Sequence, residues 1–421
     1  MTSPEAALTL SEEHPPEAPR PHPLSHRNVQ LLMASRVSSG LAGAALYTII
    51  GYQVYMLTRD PLALGLLGLV EAIPALTLSL VGGHVADRMN RKPLSMITFA
   101  VEVVCLLLLA WFAQAPEQFG VLAIYAVVFL LGIGAGFSRP AFSSFVQQAI
   151  PEGEVTRVMP WLSSAALAAS IAGAPLAGFA IDWIGVPTTY VVTASLFALT
   201  MVWVALIPRQ PTPVPEKAEE SFWESLKAGV GFVFRSQPLV GSMALDLFAV
   251  LFGGAMALLP AFAADILHVG ATGLGWLRTA PAVGALLVML YSTRWPPTVR
   301  AGRNLLWAVA GFGISMIVFG YSTNFYLSLA ALFFSGFFDG ISMVIRSVIV
   351  QIFSPENMRG RINAVNYFFI GASNEIGAFE SGLAAAWLGV APAVFVGGFV
   401  TMGVVALVAW RLPELRTLRI E

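Results

Sequence analysis

Gly82-Gly83-His84-Val85-Ala86-Asp87-Arg88-Met89-Asn90-Arg91-Lys92-Pro93 is a charged hairpin set between two long apolar runs. About twenty mostly apolar residues precede it from Leu62 and about twenty follow it from Leu94, each run long enough to cross a hydrocarbon core of about 30 Å. The stretch therefore reads as a cytoplasmic loop joining two membrane helices, with features that suit a gate. Gly83 lets two backbones approach closely. Asp87 can bond helix ends or a partner arginine, while Arg88, Arg91 and Lys92 suit anionic headgroups. Any short cytoplasmic loop carries such charges, so the rest of the chain must decide.

Composition points the same way. Of 421 residues, 57% are hydrophobic and 11% charged, against roughly 25% charged in an average soluble domain. This is the balance of an integral membrane protein. A formal net charge of -1 offers no basic surface to nucleic acid. Cys105 is the single cysteine, so no internal disulfide forms. The lysines are Lys92, Lys217 and Lys227, none preceded by glycine, which excludes a phosphate-binding loop and argues against ATP hydrolysis by this chain. His22 and His26 are spaced i, i+4, but in a polar tail where solvation is the plainer reading. No nucleophile with histidine and no metal-ligand cluster occurs in the apolar spans, so the expectation is no catalytic residue, no metal and no cofactor.

Taken in order, residues 1–27 are rich in Pro, Glu and Ala and read as a disordered cytoplasmic tail rather than a signal peptide. Six apolar segments follow at roughly 29–57, 62–83, 94–114, 119–148, 158–182 and 187–208. A Pro-rich cytoplasmic linker over 209–237 contains Phe222, Trp223, Leu226 and Phe234, placed to lie amphipathically on the membrane surface. Six more segments come at roughly 238–263, 272–292, 304–321, 325–352, 362–387 and 391–410. The domains are thus a bundle over 28–208, the linker, a second bundle over 238–411 and a cytoplasmic tail over 412–421.

Positive charge fixes the expected orientation, because cytoplasmic loops carry the excess of Lys and Arg. With both termini inside, 18 of the 23 basic residues fall in inner loops and tails, and Arg59 alone falls outside. Arg36, Arg139, Arg278 and Arg346 lie within spans. Miscounting one helix would erase this asymmetry. An internal repeat supports the same count: at an offset of 204, Gly132, Gly136, Val146, Gln147, Pro151, Glu152 and Arg157 meet Gly336, Gly340, Val350, Gln351, Pro355, Glu356 and Arg361. Gly173, Gly178, Trp183 and Gly185 continue the match with Gly377, Gly382, Trp387 and Gly389. The chain reads as a duplicated six-helix unit, all-α, with twelve transmembrane helices in two halves. Halves so related enclose a site near the midplane and rock about it. The second half lacks the charged hairpin, having Ser292-Thr293-Arg294-Trp295-Pro296-Pro297 there, so any gate is asymmetric.

A charge at the centre of a membrane helix costs about 2.5–3.5 kcal/mol on insertion scales, so it should face a wet cavity or a partner. The acidic candidates are Glu71, Glu102, Asp246, Asp339, Glu375 and Glu380; Asp246, Asp339, Glu375 and Glu380 are the proton-coupling candidates. Asp246 leads that set, since it has no neighbouring base on its own helix; the structural alternative pairs it with Arg278 or another helix. Asp339 and Arg346 are seven residues apart, one face but about 10 Å of rise, too far for a direct pair. Each is expected to bond across to another helix. Asn363, Asn366 and Asn374 fall in one narrow arc at 100 degrees per residue, a polar stripe expected to line the cavity. Glu375 and Glu380 flank it, to meet Arg346 or to face substrate. Arg36, Arg139, Arg346 and the three asparagines are the substrate-cavity candidates, with ion pairing or snorkelling as the plainer reading of the arginines. Gly132–Ser138 and Pro140 should bend the fourth span, and Gly173, Pro175 and Gly178 the fifth.

The order Gly83, Asp87, Arg88, Arg91, Lys92 resembles the signature loop between helices two and three of the major facilitator superfamily. Asn90 stands where that family usually has glycine, a mild departure because Asn also tolerates left-handed angles. Ala172-Gly173-Ala174-Pro175-Leu176-Ala177-Gly178 resembles the superfamily's Gly-Pro motif of proton-antiport exporters, with Ala174 replacing the usual glycine. Arg235–Gly241, Leu258–Ala263 and Arg359–Asn363 resemble the branch containing the bacterial enterobactin exporter, and the similarity runs from about Asn28 onward. The resemblance implies a monomeric inner-membrane transporter exchanging protons for a small amphipathic molecule, siderophore or drug-like. Its partners would be that substrate, protons and the lipid bilayer. Import or uniport by the same fold, and a non-transporting receptor or assembly partner, are the alternatives.

Overall fold

The computed structural model describes residues 23–151, 153–208 and 222–420, with the side chains of 79–88, 222–226, 357, 364 and 367 outside that description. The tail reading for 1–22 and the linker reading for 209–221 lie outside the described residues. All regular structure among the described residues is helical. α1 (Arg27–Thr58), α2 (Pro61–Arg88), α3 (Arg91–Phe112), α4 (Pro116–Ala149) and α5 (Val155–Leu206) precede α6 (Phe222–Val233). α7 (Gln237–Gly253), a one-turn α8 (Leu259–Ala261), α9 (Gly270–Ser292), α10 (Ala301–Tyr321), α11 (Phe325–Phe353), α12 (Arg359–Leu388), α13 (Val390–Arg411) and a short α14 (Pro413–Thr417) complete the order. Ten segments of the described chain are long and apolar enough to cross a membrane. This is a multi-pass membrane protein.

The boundaries follow sequence chemistry. α5 runs for 52 residues but is broken at Gly185, where φ 79 and ψ 164 define a backbone region open essentially to glycine alone. Gly389, which separates α12 from α13, has φ 93 and ψ 158. α4 is likewise broken at Gly120, while its backbone stays helical through Pro140, as that of α5 does through Pro175. The expected hairpin over 82–93 is shorter than the sequence suggested: α2 continues to Arg88 and α3 begins at Arg91. Asn90 does not use left-handed angles there. It has φ -64 and ψ 119 and caps α3, its side chain accepting the Lys92 N–H at 3.1 Å. The stretch 412–420 is docked, with Leu415 buried and the Gly302 N–H donating to the Leu418 carbonyl at 3.2 Å.

Lipid is as apolar as leucine, so helices here associate through close packing and polar contacts. α1 packs along α5, α2 along α4, α9 along α11 and α10 along α13. One apolar core draws on residues between Val29 and Ile207, joined by Ala261 and Ala271; two others draw on residues from Val233 onward. Two further contacts, α5 with α9 and α2 with α12, join these regions. Both need glycine: a Cβ at Gly178 would collide with the Ala271 carbonyl, and one at Gly382 would stand 2.7 Å from the Gly65 Cα.

Candidate functional site

The buried charge in the second half of the chain is a three-residue network. α11 brings Arg346 to α7, where its Nη1 forms a salt bridge with Asp246 Oδ2, both side chains being over nine-tenths buried. The other guanidinium nitrogen lies 4.0 Å from Asp339 Oδ1 on the same helix. This corrects the expectation that Asp339 and Arg346 are too far apart to meet. Side chains lean toward a helix N-terminus, so the long arm of Arg346 reaches back across two turns toward Asp339. Asp246, which has no base on its own helix, takes one from α11, the other-helix alternative, and not from Arg278.

Asp339 differs from Asp246 in exposure, with 38% of its side chain accessible. It forms part of the wall of a cavity of about 200 Å³ between α7, α9, α10, α11 and α12, where Met256, Phe312, Met316 and Leu332 supply apolar surface. Ser335 and Asn374 are the other polar side chains of that wall. The chain after Gly253 shapes it: a 3-10 turn (Met256–Leu258), α8 and a π turn (Phe262–Ile266) replace regular helix. Asn374 is exposed to the cavity and donates to the Ile370 carbonyl at 2.8 Å. Asn363 and Asn366, two to three turns nearer the start of α12, are outside its lining.

A second polar cluster spans α1, α2, α4 and α12. The Tyr47 hydroxyl donates to Glu71 Oε1 at 2.6 Å and accepts from Arg139 Nη2 at 3.2 Å. Glu375 of α12 lies within electrostatic range of both Glu71 and Arg139, and Gly68 of α2 lies close to Ala378 of α12, where a Cβ would stand 3.0 Å from the Ala378 Cβ. Glu375 thus lies near this cluster rather than near Arg346. Arg36 stacks over the Phe142 ring at 4.9 Å, and Arg278 lies against Gly51. Glu380 sits half-buried on α12. Gly173 serves close packing, facing Leu41 and Ala44 of α1.

Of the gate residues, the side chains of Gly83, Asp87 and Arg88 lie outside the described residues, and Arg91 opens α3. Lys92 reaches α5, where its Nζ donates to the carbonyls of Ala205 at 2.8 Å and Ile207. A cation on the last carbonyls of a helix is a favourable cap. At the opposite end of the bundle, Asp265 accepts from Arg59 Nη1 at 3.0 Å and from the Tyr55 hydroxyl. Asp182 of α5 accepts the Thr272 N–H of α9 at 2.8 Å. The contact between α5 and α9 continues to Thr279, whose hydroxyl donates to the Ile171 carbonyl at 3.0 Å. Neither Tyr47 nor this latch was singled out from sequence; the one available signal was Arg59, the only Lys or Arg of the loops expected to lie outside.

Long apolar helices around an interior cavity, with rare charges bordering it, are the frame of a membrane transporter. The chain belongs to the Major Facilitator Superfamily, whose family model matches residues 32–295. The enterobactin exporter EntS of Escherichia coli O1:K1 / APEC is 29% identical over 397 residues, covering 91% of each chain. In fold, the nucleoside transporter NupG has a TM-score of 0.72 at 14% identity, over 94% of this chain and 100% of that one. A bacterial homolog of the human lysosomal transporter Spinster, inward-facing and unoccupied, also has a TM-score of 0.72, at 12% identity over 94% and 98% of the two chains.

Proposed function

We propose that this protein is a proton-coupled exporter of a small amphipathic molecule that works by alternating access in a bacterial inner membrane. The observation that carries the reading is Asp339: a carboxylate on the wall of a cavity inside the bundle, backed by a buried Asp246–Arg346 pair. A group so placed exchanges protons with the cavity, whereas Asp246, enclosed with its partner, holds Arg346 in position. Export and a siderophore-like cargo are supported by the printed function of the Escherichia coli relative. Twelve spans in two six-helix halves, 28–208 and 238–411, are supported by the break of α5 at Gly185 and the 30-residue length of α12, added to the ten apolar segments. The pairs Gly178 with Gly382 and Gly185 with Gly389 do equivalent work at repeat-related positions, which favours a duplication.

The excess of Lys and Arg in one set of loops supports an orientation with both termini in the cytoplasm. The Asp265 and Asp182 contacts then close the outer face. Gly83, Asp87, Arg88 and Arg91 serve the cytoplasmic gate, with Lys92 bracing α3 to α5. The protein acts as a monomer in lipid. Reconstituted into proteoliposomes, it should drive net flux of an amphiphile panel that includes enterobactin only under a pH gradient, and Asp339→Asn should lose that dependence. Flux that persists unchanged after a protonophore collapses the gradient would sink the coupling.

A further inference from the structure

We infer that an open hollow between α6 and the start of α12 binds one anionic phospholipid, whose phosphate is held by Lys227 and Arg235. The site lies away from the cavity and stands whatever the cargo or its coupling. α6 is too short to span a membrane and docks on α12 instead. Val233 is buried in the same apolar core as Ile362 and Val365, and Gly229 comes so close that a Cβ would stand 3.1 Å from the Arg361 carbonyl. Lys227, Gly231 and Arg235 recur every four residues and so share another side of α6 and of the turn that follows it. With Ala228, Phe232 and Met358 they line a hollow of about 530 Å³.

The two cations stand about 12 Å apart along the helix axis, with Gly231 between them, where a Cβ would meet nothing within 4 Å. Both are exposed, and neither has a hydrogen bond or an ion pair among the described residues. Other basic residues of this side are engaged: Lys92 caps α5 and Arg157 pairs with Glu154. Glu356, on the 3-10 turn before α12, is exposed and outside the lining. Two like charges facing one hollow repel each other and favour an anion between them. The rest of the lining says which anion. Ala228, Phe232 and Met358 are apolar, and Phe234, beside Arg235, is 64% exposed. Free phosphate gains nothing from such walls, whereas the first methylenes of a lipid do. A basic, apolar-faced helix at the membrane surface is drawn to anionic headgroups, here those of the cytoplasmic leaflet in the proposed orientation. The bound lipid would tie α6 to the turn that leads into α12, the helix that brings Asn374 to the cavity.

Native mass spectrometry of the full-length protein released from detergent counts bound lipids and needs no transport. Phosphatidylglycerol and phosphatidylcholine with the same acyl chains are titrated in parallel. The wild type should take up one phosphatidylglycerol at least about tenfold more tightly than phosphatidylcholine. Glycerophosphoglycerol, the same headgroup without chains, should not displace it. Lys227→Ala with Arg235→Ala should weaken uptake about tenfold or more, whereas Lys227→Arg with Arg235→Lys should retain it, which separates loss of charge from misfolding. Gly231→Leu places a side chain in the hollow with both charges intact and should also lose the lipid. Arg300→Ala with Arg303→Ala removes two exposed cations elsewhere and should bind as the wild type does, all variants being compared at unchanged melting temperature. Equal uptake of the two lipids, displacement by the free headgroup, or undiminished uptake by the Lys227/Arg235 alanine variant or by Gly231→Leu overturns the inference. An equal loss in the Arg300/Arg303 variant overturns it too, since the attraction would then belong to the whole face and not to this hollow.

Discussion

The two contacts of Arg346 differ in kind, and magnitude separates them. Breaking a buried ion pair by removing one partner strands a charge and typically costs about 3–5 kcal/mol. A partly exposed pair at 4.0 Å is worth no more than about 1 kcal/mol. A double-mutant cycle on thermal or denaturant unfolding of the detergent-solubilised protein should therefore give a coupling of about 2–3 kcal/mol for Asp246 with Arg346 and below about 1 kcal/mol for Asp339 with Arg346. Equal couplings would mean that the two carboxylates share the guanidinium, and the division between a positioning pair and an exchangeable carboxyl would fail. Sequence named all three residues because a charge in an apolar run is conspicuous. It could not say which pairs form, since helix periodicity fixes a face and leaves the neighbouring helix unknown.

At the scale of the element, the helices begin and end where the chain's own chemistry places them. Pro61 and Pro116 open helices, Asn90 caps one, and glycines divide the longest apolar run and its repeat. Gly185 and Gly389 occupy a region of backbone space that costs a residue with a side chain about 1–3 kcal/mol. Gly185→Ala and Gly389→Ala should each destabilise the purified protein by that amount, whereas Gly403→Ala, where a Cβ meets open space, should be near neutral. Similar melting temperatures for all three would show that the two breaks tolerate other conformations. Pro140 and Pro175 suggested bends; the backbone stays helical through both, and the non-helical residues are Gly120 and Gly185. Neighbouring helices re-satisfy the backbone groups that a proline frees, so a membrane helix continues through it.

At the scale of the whole molecule, the contacts that join the regions gather at the end holding Asp265 and Asp182. Asp265 ties the turn after α7 to α1, and Asp182 ties α5 to the start of α9. Removing the first tie should shift the population toward opening at this end, the outer face in the proposed orientation. With Thr272→Cys as the reporter and the sole native Cys105 buried, adding Asp265→Ala should speed labelling by a membrane-impermeant maleimide several-fold in intact cells. An unchanged rate would show that this latch does not hold the face shut. The amino-acid sequence by itself determined that the chain lies in a membrane, where its apolar segments fall and which residues are charged within them. Those properties are local, set by hydropathy over about twenty residues and by backbone chemistry. Only the tertiary structure decided that Arg346 serves Asp246 before Asp339, that Glu375 lies near Glu71 and Arg139, and that Asp339 is left facing the cavity. Pairing between helices depends on which faces meet across the bundle, and interdigitated packing, not periodicity, makes that choice.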